Sequence, residues 1–138
     1  MPFVLDNSVV TGWYLGDQAS AYTEAIAVRL QEDKALVPAL WQMELANLLK
    51  TACTKGKLQL AQARQILDVL AQLPIEVDGG PAPNQRQLFE LAMRYGLSSY
   101  DAAYLELAMR HGLALATRDD QLQRAAVAAG VDVIAATP

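Results

Sequence analysis

Phe3-Val4-Leu5-Asp6-Asn7-Ser8 runs three apolar residues into an acid and two small polar residues. Neighbouring side chains on a strand point to opposite faces, so three apolar residues without alternation suit a short strand buried on both sides. Asp6-Asn7-Ser8 then offers three capping-type residues in a row, the mark of a strand that turns directly into a helix. The same grammar recurs down the chain. Ala35-Leu36-Val37 is a short strand stopped by Pro38, Pro74-Ile75-Glu76-Val77 reads as a third, residues 113–116 as a fourth and 131–134 as a last. A helix of uncertain length follows Ser8, weakened by Gly12 and Gly16. Further helical patterns cover about 17–33, 40–54, 58–72, 84–95, 99–110 and 121–129, with Gly56, Gly96, Gly112 and Gly130 as stops. Short apolar strands alternating with helices predict an α/β fold with a mainly parallel sheet covered on both faces. The length predicts one domain over residues 1–138, with a loose tail.

Composition narrows the chemistry. Hydrophobic residues make up 53% and charged residues 19%, which describes a globular chain. No apolar stretch approaches the roughly 20 residues that span a bilayer. The first residues lack a basic segment and a long apolar run, so a cytoplasmic protein without a signal peptide is expected. A single cysteine, Cys53, leaves no disulfide framework or cysteine-based zinc site, and in an alanine-rich helix it reads as a packing residue. A single histidine, His111, leaves little room for a Ser-His-Asp triad. The net charge of −4 argues against sequence-independent grip on nucleic acid, unless acids concentrated in one place hold cations that reverse the local sign.

Four acids stand at element ends. Asp6 and Asp119 follow strands, and in parallel sheets ligands bind beyond the carboxyl ends of the strands. Glu44 has Trp41 and Leu48 at helical spacing, which puts it on or beside a buried stripe, with Asn47 near the same face. Asp101 lies in the first turn of its helix with Leu97, Tyr104, Leu105 and Ala108 around it. Each has a plain alternative. Asp6 could cap a helix, Glu44 could make a buried hydrogen bond, and Ser98-x-x-Asp101 resembles a capping box. Thr117-x-x-Asp120 makes Asp120 the expected structural member of its pair and leaves Asp119 as the ligand candidate. Together the four suit one site for Mg²⁺ or Mn²⁺, because clustered carboxylates repel unless cations lie between them and hard cations prefer oxygen ligands.

Four motifs in order carry a resemblance across nearly the whole chain. They are Phe3-Val4-Leu5-Asp6-Asn7-Ser8; Pro38-x-x-Trp41-x-x-Glu44-x-Ala46-Asn47-x-Leu49; Ser98-x-Tyr100-Asp101-Ala102-x-Tyr104-Leu105-x-Leu107-Ala108; and Leu115-Ala116-Thr117-Arg118-Asp119. The chain resembles the PIN-domain ribonucleases, in particular the toxins of VapBC toxin–antitoxin pairs. The resemblance implies a three-layer α/β/α sandwich and a metal-dependent endoribonuclease that leaves a 5′-phosphate and a 3′-hydroxyl. It makes Asp6, Glu44, Asp101 and Asp119 the acidic cluster and Mg²⁺ or Mn²⁺ ligands. Asp6 and Asp101 are the main holders, Thr117 is the small polar residue beside them, and Ser8 matches a polar position of the opening motif. It further implies an RNA substrate, a cognate antitoxin and a homodimer. Positive contacts to RNA are sought at Lys50, Lys55, Lys57 and Arg118, though each also reads as an ordinary surface charge. Apolar faces on helices 17–33 and 58–72 could form a dimer interface or simply pack, and Trp13 and Tyr14 could stack on bases or pack, with packing the preferred reading. Two rivals stand beside this. A phosphatase with an aspartyl nucleophile would want an acid where Ser8 stands, and an inactive PIN-like module would bind RNA or protein without cutting.

Overall fold

The computed structural model describes residues 1–135. Four strands of three residues each, β1 (Phe3–Leu5), β2 (Ala35–Val37), β3 (Ile75–Val77) and β4 (Ala114–Ala116), form a parallel sheet in the order β3-β2-β1-β4. Among the described residues seven α-helices flank it: α1 (Asn7–Tyr14), α2 (Ala21–Arg29), α3 (Leu40–Thr54), α4 (Leu60–Ala71), α5 (Gln85–Tyr95), α6 (Ser99–His111) and α7 (Asp120–Ala128). Phe3, Val4 and Leu5 are all fully buried, so both faces of the central strand are covered and the expected α/β sandwich is present. Among the described residues no helix is long and apolar enough to cross a membrane.

The order of the strands positions the site. The chain builds outward from β1 through β2 to β3, then returns to lay β4 on the other side of β1. That reversal is a topological switch point, where parallel sheets open a crevice at their carboxyl ends. The register pairs Leu5 with Ala116, and the Asp6 amide donates to the Ala116 carbonyl at 3.0 Å. The residues just beyond both strands, Asp6 and Thr117, are therefore brought side by side.

Two expected elements differ. The helix expected over 17–33 is broken: a 3-10 turn at Gly16–Gln18 ends in extended Ala19, and α2 starts afresh from Ser20. The Ser20 hydroxyl accepts from the Thr23 amide while the Thr23 hydroxyl accepts from the Ser20 amide, a reciprocal cap that fixes a new helix start. The last strand expected over 131–134 is a single bridge between Val133 and Leu115. Its hydrogen bonds, Leu115 amide to Asp132 carbonyl and Ile134 amide to Leu115 carbonyl, flank one residue pair and extend no further. The expected loose tail falls largely on residues 136–138, outside the described residues. Elsewhere differences are one or two residues at element ends, as for Leu60–Ala71 against 58–72.

Candidate active site

Asp6 sits at the cap position of α1 yet makes no capping bond. It is 7% exposed, and both nearby hydroxyls serve it: Ser8 Oγ donates to Oδ2 at 2.8 Å and Thr117 Oγ1 donates to the same oxygen at 2.7 Å. Because each hydroxyl has spent its one proton on Asp6, each accepts from a backbone amide. Arg118 N–H donates to Ser8 Oγ and Asp119 N–H donates to Thr117 Oγ1. Thr117 is fully buried. Burial pushes Asp6 above the ordinary carboxylate range, the hydroxyl donors pull it back, and the Asp119 charge raises it further.

Ser98, not Asp101, caps α6: its hydroxyl accepts from the Asp101 amide at 3.1 Å, and the Asp101 carboxylate makes no return bond. That carboxylate is half-buried and pushed up to about 6, first by burial and then by the charges of Asp6, Asp119 and Glu44. Glu44, half-buried on α3, is also raised by burial and by Asp6, against a lowering bond from the Tyr104 hydroxyl. Asn47 is exposed. Asp119 is the residue whose expected division of labour changes. It, and not Asp120, is the cap of α7, its Oδ1 accepting from the Leu122 amide at 2.9 Å. Thr117 does not fill that role: its hydroxyl donates to Asp6 and accepts from the Asp119 amide, one residue short of the first turn of α7. Asp119 nonetheless lies within electrostatic reach of Asp6 and Asp101, whereas Asp120 is exposed.

The four acids thus arrive from four segments and share one field. None of them takes part in an ion pair among the described residues. Nor do three acid, imidazole or thiol groups converge there at ligating distance of one point. An all-oxygen set that does not close on one point suits a hard cation that keeps part of its water shell better than one held in a closed cage.

The surrounding cations are differently disposed than the sequence suggests. Arg118 turns its guanidinium onto the fold: Nε donates to the Ser8 carbonyl at 2.7 Å, one terminal nitrogen to the Gln18 carbonyl at 2.7 Å and the other to Thr11 Oγ1 at 3.2 Å. It clamps the Asp6–Ser8 junction to β4. Lys57 reaches Asp17 at 3.6 Å, and Lys50 and Lys55 are exposed. His111 and Arg110 pair with Asp78 at the far end of α6. Trp13 is packed, its indole N–H donating to the Thr23 carbonyl at 2.6 Å. An apolar hollow of about 490 Å³ lies between α1, α2 and α4, lined by Trp13, Tyr14, Leu30, Ile66 and Leu73 among others and by none of the four acids.

The raised acids make stability depend on pH in a defined sense. Asp101 binds more protons folded than unfolded between its ordinary value of 3.8 and about 6. Its contribution is therefore full below 3.8 and lost as pH rises through about 6. Asp33 and Asp78, held low by the N-terminal amine and by Arg110 respectively, act with the opposite sign only below that window. Metal-free protein is expected to melt at a higher temperature near about pH 5 than near about pH 7.5. A melting temperature that is flat or rising over this interval would mean the carboxylates do not share a common field.

Three comparisons place this arrangement. Residues 3–128 match the PIN domain family. The chain belongs to the PIN-domain family. A curated relative, Ribonuclease VapC3 of Pyrobaculum aerophilum, is 32% identical over 124 residues, covering 88% of this chain and 92% of the relative. Among solved structures, PAE2754 from Pyrobaculum aerophilum superposes with a TM-score of 0.65 at 21% identity, over 91% of this chain and 84% of that one. VapBC2 from Rickettsia felis, bound to a DNA fragment from its promoter, superposes with a TM-score of 0.67 at 15% identity, over 97% and 98%. At such identities these two similarities speak for the fold.

Proposed function

We propose that the chain is a Mg²⁺- or Mn²⁺-dependent endoribonuclease and the toxin of a toxin–antitoxin pair. The observation that carries this is the set of four acids at the switch point of the sheet, mutually repelling and without a cationic partner among the described residues. The name of the curated relative, a VapC ribonuclease, supports the substrate class. Asp6 and Asp101 are the main holders of the cation, with Glu44 and Asp119 completing or orienting its shell. A bound divalent ion supplies Lewis acidity, lowering the pKa of a water and polarising the phosphoryl oxygens. The chain's own residues prepare the place. Ser8 and Thr117 fix Asp6 through Oδ2, which leaves Oδ1 without a hydroxyl partner. Asp119 uses Oδ1 on its helix, which leaves Oδ2 for the shared site. Exposed Lys50 and Lys55 are the remaining cations from the set considered for RNA.

The reading includes an antitoxin and a homodimer. The apolar hollow between α1, α2 and α4, extended by exposed Leu67 and Val69, is a surface of the right character for a protein partner. The test is cleavage of a mixed RNA pool by purified protein with Mn²⁺ or Mg²⁺, against EDTA. Cleavage that EDTA stops is the expected result. Folded protein that neither cuts RNA nor gains thermal stability from Mn²⁺ would replace this reading with that of an inactive binding module.

A further inference from the structure

Tyr104 is fully buried, among Ala103, Leu105, Leu107 and Ala108 of α6, yet it carries a hydroxyl. A phenol in such surroundings needs a partner, and this one has a single strong bond, donating to Glu44 Oε1 at 2.5 Å. The bond joins residues 60 positions apart and ties α6 to α3. On α6, Tyr104 stands three residues after Asp101, so the two share a face of the helix. One helix thus delivers both an acid of the cluster and the hydroxyl that holds a second acid. A glutamate has three rotatable side-chain bonds, and the short bond from the Tyr104 hydroxyl restrains the Glu44 carboxylate at their end. The Asn7 amide lies nearby, but its own hydrogen bond goes to the Trp41 carbonyl at 3.3 Å.

We propose that Tyr104 is a positioning residue of the acidic site, its hydroxyl fixing Glu44 so that the carboxylate keeps a set spacing from Asp101. The proposal rests on the reading of the acids as a divalent-cation site. Groups that orient ligands in this way typically change metal affinity about 10- to 100-fold when removed. Tyr104 is distinct from the acids in that it would touch neither ion nor substrate.

The experiment is a Mn²⁺ titration by calorimetry of wild type, Tyr104→Phe, Glu44→Gln and the double variant, with far-UV circular dichroism as the check of fold. Tyr104→Phe is expected to bind Mn²⁺ about tenfold more weakly. Adding it to Glu44→Gln should cost nothing further, because without the Glu44 charge the hydroxyl has no ligand left to position. Cleavage by Tyr104→Phe should recover as Mn²⁺ is raised. A residue that only filled the core would lower the melting temperature and leave Mn²⁺ affinity alone. Wild-type affinity in Tyr104→Phe, or a full additional loss in the double variant, overturns the proposal. Should Tyr104→Phe fail to fold because Glu44 is left as an unpaired half-buried charge, the double variant relieves that charge. Its affinity must then match Glu44→Gln alone, and any difference overturns the proposal. Wild-type protein that takes up no Mn²⁺ overturns the cation-site reading instead, and this proposal with it.

Discussion

Asp101→Asn is expected to abolish metal-dependent RNA cleavage while making the metal-free protein harder to melt. The two effects have one cause. Asp101 is half-buried in the field of Asp6, Asp119 and Glu44, so its charge destabilises the metal-free fold and, on the proposed function, would draw a cation to it. The amide keeps the shape and removes the charge. The helix start does not suffer, because Ser98 makes the capping bond. The loss of rate should reach about 10³-fold, roughly 4 kcal/mol of transition-state stabilisation. Single-turnover cleavage with Mn²⁺ and thermal melts without metal read the two sides separately. Asp6→Asn is expected to behave alike in cleavage, since an amide oxygen still accepts from Ser8 and Thr117. Asp120→Asn, on an exposed residue, should leave both readings unchanged. Asp101→Asn that cuts at the wild-type rate would remove Asp101 from the chemistry.

Gly12→Ala is expected to destabilise the fold by about 1–2 kcal/mol, although alanine is the better helix former. The propensity gain is about 0.5–1 kcal/mol. Against it, a methyl at position 12 would meet Thr23 Cγ2 at 2.4 Å and Thr23 Cβ and Oγ1 at 2.7 Å. Thr23 cannot step aside. It is fully buried, closes the reciprocal cap with Ser20, and receives the Trp13 indole on its carbonyl. Overpacking of this kind costs about 1–3 kcal/mol, which outweighs the propensity. A drop in melting temperature of about 3–8 °C would follow. At Gly16 a methyl meets nothing within 4 Å, so Gly16→Ala serves as the control. Equal melting temperatures for the two variants would show that α2 can yield to α1.

Gly12 also marks where sequence reading stops. Read locally, it weakens a helix. In the fold it is the point at which α1 comes close enough to α2 for Thr23 to lie against its backbone. The strands were legible because unalternating apolar triplets such as Phe3-Val4-Leu5 have few other uses, and the switch point followed from their arrangement. Asp6 and Asp101 stood out because better caps lay beside them, and neither carboxylate makes a capping bond. What the sequence hid depends on distant partners. Asp119 and Asp120 both fit a cap by spacing, and the choice turns on Thr117, whose hydroxyl goes to Asp6, 111 residues earlier. Arg118 read as a surface cation because Gln18, which it clamps, lies 100 residues away. Ser20-x-x-Thr23 was missed as a helix start because threonine, not glutamate or glutamine, makes the return bond. Tyr104 left one usable clue: a phenol set between alanines and leucines, three residues from an acid on the same helix.

Asp119 holds the start of α7 with the same side chain that faces the other acids. Asparagine caps a helix about as well as aspartate does. A lineage could therefore trade aspartate for asparagine at position 119 in a single step, weaken the chemistry and keep the architecture whole. Selection on folding alone would not notice the change. Under the proposed function, intactness of this fold in a descendant would then say little about its activity, and position 119 would be the place to look.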